Sequence, residues 1–377
     1  MMVFGIDPHK QTHTAVVVDE LGRRTAERTV AARREGHLQL LVWAGKLTAD
    51  RGWAVEDVRH VAGNLVRDLL AAGEKVIPIP PKMMAAERRG GREHGKSDPI
   101  DALAVARLAL RERADLPLAV LDEHTRPIRL LVDHCDALIK ERTRVINRFR
   151  WMLHDLAPDL APARRTLAHS ATRVRLAAQV AALPDTISRR IACAQLTHID
   201  LLSTQANAVE VELKALVEPL ATGLLAVTGV SVLTAAKLLG EIGDIRRFRS
   251  SAAFARHNGT APIPVWSGKS EVHRLNRAGN RQLNAALHRI ALTQSRCHPG
   301  ARQLLERRRQ THHDTTKGGL RVLKRHLSDV VYRVVIADIE ARDIAPPQAH
   351  QAVAWHRSVR RRLRTPNPVS NSFSFLR

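Results

Sequence analysis

The sequence predicts an α/β domain with a mixed sheet, followed by an all-α remainder. Three observations lead there. β-branched and apolar runs alternate with helical patterns through residues 1–110, helical periodicity dominates after residue 130, and the charge balance changes between the two. Residues 1–110 carry 17 basic and 14 acidic side chains, whereas 111–377 carry 43 and 23. The acids accompany the expected sheet, and most of the excess positive charge follows it.

Val3 to Asp7 is a short apolar run and Thr12 to Val18 a β-branched one, joined through Pro8, His9 and Lys10. Gly22 turns the chain into a third strand, Thr25 to Val30, which gives an antiparallel meander. From Glu35, the residues Leu38, Leu41, Val42 and Leu47 recur at helical spacing and predict a helix that covers the sheet. Trp53 to Val58 returns to strand character with Glu56 inside it. Leu65 to Ala72 reads as a helix stopped by Gly73, and Lys75 to Ile79 as a strand closed by prolines. Asp98 opens the next helix. The order is βββαβαβα.

Arg111 to Leu121 is a basic, Pro-containing connection out of this domain. A long helix follows over Leu130 to Leu156, in which Arg142, Arg144, Arg148 and Arg150 interleave with Val145, Ile146 and Phe149. Its cationic face is either simply solvated or reaches phosphates. Leu160 to Arg190 and Ile199 to Leu216 read as further helices separated at Pro184. In LLAVTGVSVLTAAKLLGEIGDIRRF two apolar helical segments flank a turn at Gly229, with Arg246, Arg247 and Arg249 close behind. That pattern is an ordinary αα-hairpin, or a helix-hairpin-helix element in which Gly229 admits a phosphate to free helix amides. A Pro- and Gly-rich loop, Gly259 to Gly268, holds Ser267 and precedes a helix from near Ala278. Gln303 to Glu340 is helical and basic, and the Arg-rich tail after Arg357 reads as a mobile arm.

The chain has 377 residues and 44% hydrophobic content, enough for two globular domains. Its 60 Lys and Arg against 37 Asp and Glu leave +23, which points to a polyanionic partner, nucleic acid first. Aromatic residues make up 3%, so a platform of stacked single-strand bases is a poor fit and backbone contacts by Arg and Lys are expected. Cys135, Cys193 and Cys297 are odd in number and far apart, which suits a reducing cytoplasm and suggests neither disulfides nor zinc. The most apolar stretch, Leu224 to Leu239, is interrupted by polar residues, so no membrane span is expected.

Asp98 and Asp101 lie one helical turn apart and share a face. Taken alone they make a capping box, with Asp98 as N-cap and Pro99 at the first helical position. Asp7 and Glu56 at strand ends add two more acids. Four carboxylates from separate segments suit Mg²⁺, and a two-metal site holds its ions about 3.5–4 Å apart. Histidines such as His9, His60 and His94 are scattered without ligand spacing and read as surface or phosphate-contacting residues.

The strand order is that of ribonuclease-H-like folds, and the motifs narrow it. GIDPHK with Asp7, AVED with Glu56, GKSDPIDA with Asp98 and Asp101, then TGVSVLTAAKLLGEIGD, the SG of WSGKS and NRAGNRQLNAAL stand in one order along nearly the whole chain. Together they resemble the DEDD-type transposases of bacterial insertion sequences, in the insertion-sequence-110-like family related to Piv-type DNA invertases. One departure is that DVRH follows Glu56, where many members have a Gly and an aromatic residue.

The resemblance implies a RuvC-like catalytic domain over 1–112, a helical coiled-coil spacer over 113–220, a C-terminal helical transposase domain over 221–345 and a basic tail over 346–377. It implies Mg²⁺-dependent strand cleavage and rejoining on double-stranded DNA, with two ions per site. Asp7, Glu56, Asp98 and Asp101 would be metal ligands, and Ser267 the nucleophile of a covalent serine–DNA intermediate, with Ser270 as its competitor. Lys96, Lys269, Arg274, Arg277 and Arg281 join Arg142, Arg144, Arg148, Arg150, Gly229, Arg246 and Arg247 as nucleic-acid contacts. A homo-oligomer, dimer or tetramer, in a bacterial cytoplasm at the nucleoid is implied, and some members bind a structured noncoding RNA. Two other readings stay open: a RuvC-like nuclease that uses water, and a binding protein whose acids are only caps and surface residues.

Overall fold

The structure, a computed structural model, describes residues 1–344 apart from 57, 59, 81, 82, 85, 86, 88–96, 121, 122, 164, 165, 269 and 278. Two compact units divide between Leu121 and Asp122. In the first, β1 (Met2–Pro8), β2 (Thr12–Val18) and β3 (Arg24–Ala31) form the expected antiparallel meander. α1 (Arg34–Leu47) leads to β4 (Arg51–Glu56), and α2 (Gly63–Ala71) to β5 (Val76–Ile79), both strands running parallel to β1. The sheet order is β3-β2-β1-β4-β5. α3 (Asp98–Glu112) closes the unit's helical elements.

The strands β1, β2 and β4 are buried on both faces, which is why they read as near-continuous apolar runs, whereas the edge strand β3 is largely exposed. One face, with Phe4, Ile6, Ala15, Val17, Trp53 and Val55, packs against Leu40 and Ala44 of α1 and Leu65 and Leu69 of α2. The other, with Val3, Val16, Val18, Ala54 and Ile77, packs against Ala102, Val105, Ala106 and Ala109 of α3. Strand alternation assigns each side chain to its helix layer.

Three expectations need correction here. α1 turns His37, Leu40 and Ala44 inward, whereas Leu38 and Val42 remain 52% and 49% exposed. Apolar spacing chose the wrong face because His37 is held inside by Asp68 of α2, with 2.6 Å between Nδ1 and Oδ2, and by stacking on buried His13 at 5.3 Å between ring centroids. β4 ends at Glu56 rather than at Val58. The residue before α3, Ser97, takes the N-cap position, so Asp98 is the first helical residue and not the cap.

The second unit opens with α4 (Thr125–Leu156), α5 (Ser170–Ala181) and α6 (Ile187–Val217). α4 and α6 run antiparallel: Ile128 and Val132 share a core with Leu213 and Val217, while Val145 and Phe149 share another with Ala192, Leu196 and Ile199. The expected helix from Leu160 to Arg190 is instead broken. Pro184 lies in the gap after Ala181, and Thr186 starts α6 by accepting a bond from the Arg189 amide, so α6 begins well before Ile199.

After α7 (Thr222–Ala226), α8 (Val232–Ile242) and α9 (Ser251–Asn258) comes a β-hairpin, β6 (Ile263–Ser267) and β7 (Ser270–Arg274), where the sequence suggested a loop. Pro264 and the flanking glycines masked the alternation of Ile263, Val265 and Val272. α10 (Arg281–Cys297) begins at the Asn280 cap rather than near Ala278, and α11 (Pro299–His312) and α12 (Thr316–Ile344) complete the unit. The basic run from Gln303 is thus two helices, parted at His313, whose φ is 52°. The expected tail, 346–377, lies outside the described residues. None of the described helices is long and apolar enough to cross a membrane.

Candidate functional site

Asp7 is the penultimate residue of β1 and shares the α3 face with Val3 and Gly5 by strand alternation. Gly5 decides how near α3 can come: a Cβ there would lie 2.1 Å from the Ala102 carbonyl oxygen and 2.7 Å from the Ala106 Cβ. The helix therefore rests directly on the strand. Its first turn delivers Asp98, half exposed, and Asp101, buried. β1 and β4 run in parallel with Ile6 opposite Val55, so Glu56 follows at the neighbouring strand end, partly buried.

His9 completes the cluster. Its Nε2 lies 3.1 Å from Asp7 Oδ2 and 3.2 Å from Asp98 Oδ1, and one donor atom from each of the three residues fits within a 4.8 Å span. His9 is exposed, as expected of a surface histidine, but it is not scattered from the acids. The available signal was the Asp-x-His spacing at a strand end, which returns both residues to one side. Of the other histidines considered, His60 is exposed and His94 lies outside the described residues.

Burial raises the Asp7 carboxyl above the ordinary range; His9 pulls it back in part, and Asp101 and Asp98 push it up further. Gathered carboxylates that disfavour each other's ionisation favour a cation among them. Ser97, at the cap position of α3, makes no side-chain capping bond.

Ser267 is the last residue of β6 and pairs directly with Ser270, across a turn in which Gly268 takes a φ of 59°. The two serines the sequence left in competition are register partners at one hairpin tip. The feet of the hairpin are fixed by contacts the sequence did not reveal. A Cβ on Gly279 would lie 2.3 Å from the Gly259 nitrogen, so the two strands of chain cross where only glycines fit. Buried Asn258 donates to Ser328 Oγ at 2.8 Å and accepts from the Thr260 amide at 3.0 Å. Asn284 donates to the Asn258 carbonyl at 2.9 Å and accepts from Lys324 at 2.8 Å, while Asn280 donates to Glu241 at 2.6 Å. The asparagines of HNG and NRAGNRQLN are therefore structural joints.

The proposed nucleic-acid residues divide by what they already hold. Arg144 and Arg148 project from α4, well exposed, and share Glu141 at 3.1 and 3.6 Å. Arg142 reaches Ser203 at 3.3 Å, and Arg150 is partly buried. Arg246 is bracketed by Asp244 and Asp343, each at 2.8 Å, and Arg247 lies 4.6 Å over the Phe248 ring. Arg274, Arg277 and Arg281 are exposed at the hairpin and the start of α10. Gly229 has a φ of 88°, and a Cβ there would stand 3.1 Å from Thr293 Cβ, so turn and packing already account for the glycine. Lys96 and Lys269 lie outside the described residues.

Comparison with known proteins agrees with this layout. A DEDD-type IS110 transposase domain matches residues 4–158, and a transposase domain of the IS116/IS110/IS902 family matches 221–306. The chain is similar to an uncharacterized 44.8 kDa protein of insertion element IS116 from Streptomyces clavuligerus, 26% identical over 337 residues, covering 77% of this chain and 83% of the relative. It is similar to an uncharacterized 42 kDa protein of IS900 from Mycobacterium paratuberculosis, 26% identical with 86% and 93% covered. A 43.6 kDa protein of IS110 from Streptomyces coelicolor is 29% identical, with 68% and 75% covered. The mixed sheet followed by helices is consistent with a ribonuclease-H-like DEDD transposase. With both transposase domains matched in order on this fold, the chain belongs to the IS116/IS110/IS902 family of transposases, the DNA-recombining enzymes of insertion sequences.

Proposed function

We propose that this transposase cleaves and rejoins DNA at insertion-sequence ends with Mg²⁺ held by Asp7, Glu56, Asp98 and Asp101, and with Ser267 as the attacking group. The observation that supports the metal half is the meeting of Asp7, His9 and Asp98 within a 4.8 Å span. The donor set suits a divalent cation: oxygen-rich, anionic, and open on the Asp98 side where a phosphate can approach. A bound ion, or a pair, supplies charge stabilisation to the attacking and leaving oxygens of a phosphodiester.

The remaining chemistry falls to the chain. The Ser267 oxygen forms a bond to phosphorus as the bond from phosphorus to one nucleoside oxygen breaks, and the serine proton leaves on that oxygen. The phosphodiester is retained as a seryl ester, so a hydroxyl of another strand can reverse the step and restore the serine. Arg144, Arg148, Arg274, Arg277 and Arg281 hold the DNA backbone. Self-association and a guiding noncoding RNA belong to the same reading through the family resemblance.

Reaction on end-labelled element DNA, followed by mass-spectrometric mapping of any protein–DNA adduct, tests it. The adduct is expected at Ser267, lost in Ser267→Ala and kept in Ser270→Ala. An adduct that persists in Ser267→Ala overturns the assignment, and hydrolysed products without joining replace it by a water-using nuclease.

A further inference from the structure

We propose that His9 is itself a metal ligand, through Nε2, which makes the centre a mixed nitrogen–oxygen site that favours Mn²⁺ over Mg²⁺. This rests on the metal reading above and adds a residue outside the four acids.

The backbone fixes His9 before any ion arrives. Pro8 pairs with His13 at the end of β1, and the His9 amide donates to the Thr12 carbonyl at 2.8 Å, so the imidazole stands on a tight β1–β2 connection and not on a free loop. From there Nε2 comes to 3.1 Å from Asp7 Oδ2 and 3.2 Å from Asp98 Oδ1. Adjacent donors around an octahedral ion, each about 2.0–2.1 Å from it, are about 2.9 Å apart, and both separations lie within about 0.3 Å of that. A ring nitrogen carries at most one proton, which points at one carboxylate at a time; a cation seated among the three atoms satisfies all of them at once.

The ring is half exposed, as is Asp98, so water or phosphate oxygens can complete the coordination. Mg²⁺ demands oxygen donors and gives up water reluctantly, whereas transition ions accept imidazole. An imidazole among carboxylates therefore shifts preference along the divalent series without excluding Mg²⁺.

The test uses the full-length protein with Mn²⁺ alone, without DNA. Pulsed electron paramagnetic resonance of bound Mn²⁺ is expected to show coupling to one imidazole nitrogen, and the pattern to change when the histidines carry ¹⁵N. The coupling should vanish in His9→Gln and persist in His60→Gln, which alters an exposed histidine that is not one of the three grouped residues. In His9→Gln, Mn²⁺ affinity should fall at least about tenfold, with Mg²⁺ affinity much less affected. Bound Mn²⁺ lost in Asp98→Asn but showing no nitrogen coupling in the wild type overturns the His9 assignment while leaving the metal reading intact. Failure of the wild type to bind Mn²⁺ at all removes both.

Discussion

Gly5 of β1 and Ala106 of α3 are in such close apposition that a Cβ on Gly5 would stand 2.7 Å from the Ala106 Cβ. This contact sets the height of α3 above the sheet, and with it the approach of Asp98 and Asp101 to Asp7. Gly5→Ala must push the helix outward. Overpacking of this kind costs about 1–3 kcal/mol, and the displaced carboxylates should cut strand cleavage far more than they cut DNA binding. Cleavage assays beside urea melts check this; wild-type turnover in a folded Gly5→Ala protein would show that the separation does not matter.

Asp98→Asn and Asp101→Asn each remove one anionic ligand and little else. Cleavage should fall below detection in both, while DNA affinity stays within about threefold, because backbone binding rests on cations elsewhere in the chain. Electrophoretic binding and cleavage measured on the same preparations decide it. Metal-dependent cleavage surviving in the double variant would end the carboxylate-centre reading.

Arg144 and Arg148 are exposed on one α4 face, whereas Arg246 is held between two carboxylates. The double change Arg144→Ala, Arg148→Ala should weaken DNA binding across sequences and reduce the slope of log affinity against log salt by about two. Arg246→Ala should leave that slope unchanged and lower stability by less than about 1 kcal/mol. Equal salt slopes for all three proteins would assign the α4 face to solvent.

His13 gives a pH signature. Burial pushes its imidazole from 6.5 down to about 4, and the neighbouring His37 adds to the effect. Between those values the unfolded chain binds a proton that the folded chain refuses. Stability from this group is complete above pH 6.5, is lost as pH falls toward 4 and levels off below. The loss is up to about 3 kcal/mol. Urea midpoints of wild type and His13→Leu at pH 7.5 and 4.5 should show the variant losing less on acidification.

Asn258 offers a test of the hairpin's support. Asn258→Ala leaves Ser328 and the Thr260 amide without their partner in a buried place, at a cost of about 1–3 kcal/mol. Hydrogen exchange should speed up at β6 and β7 more than in α4 and α6. Uniform acceleration through the whole second unit would mean that the network supports the core generally and not the hairpin.

The sequence by itself determined the strand runs, the βββαβαβα order of elements and the placing of Asp7, Glu56, Asp98 and Asp101 at element ends, since each depends on period-two or helical patterning within a few residues. It also carried the family motifs, because these are local words. Where two apolar faces competed, only tertiary structure decided: α1 buries His37 and leaves Leu38 and Val42 outside, because Asp68 on α2 and His13 on β2 offer partners that sequence spacing does not contain. The same holds for the site. Asp-x-His was visible as letters, but the position of His9 between Asp7 and Asp98 follows from a turn closed by Thr12 and from a helix lowered onto Gly5 some 90 residues away in the chain. Patterning reports which side of an element is apolar; which distant atoms meet is set by how closely the packed layers can approach.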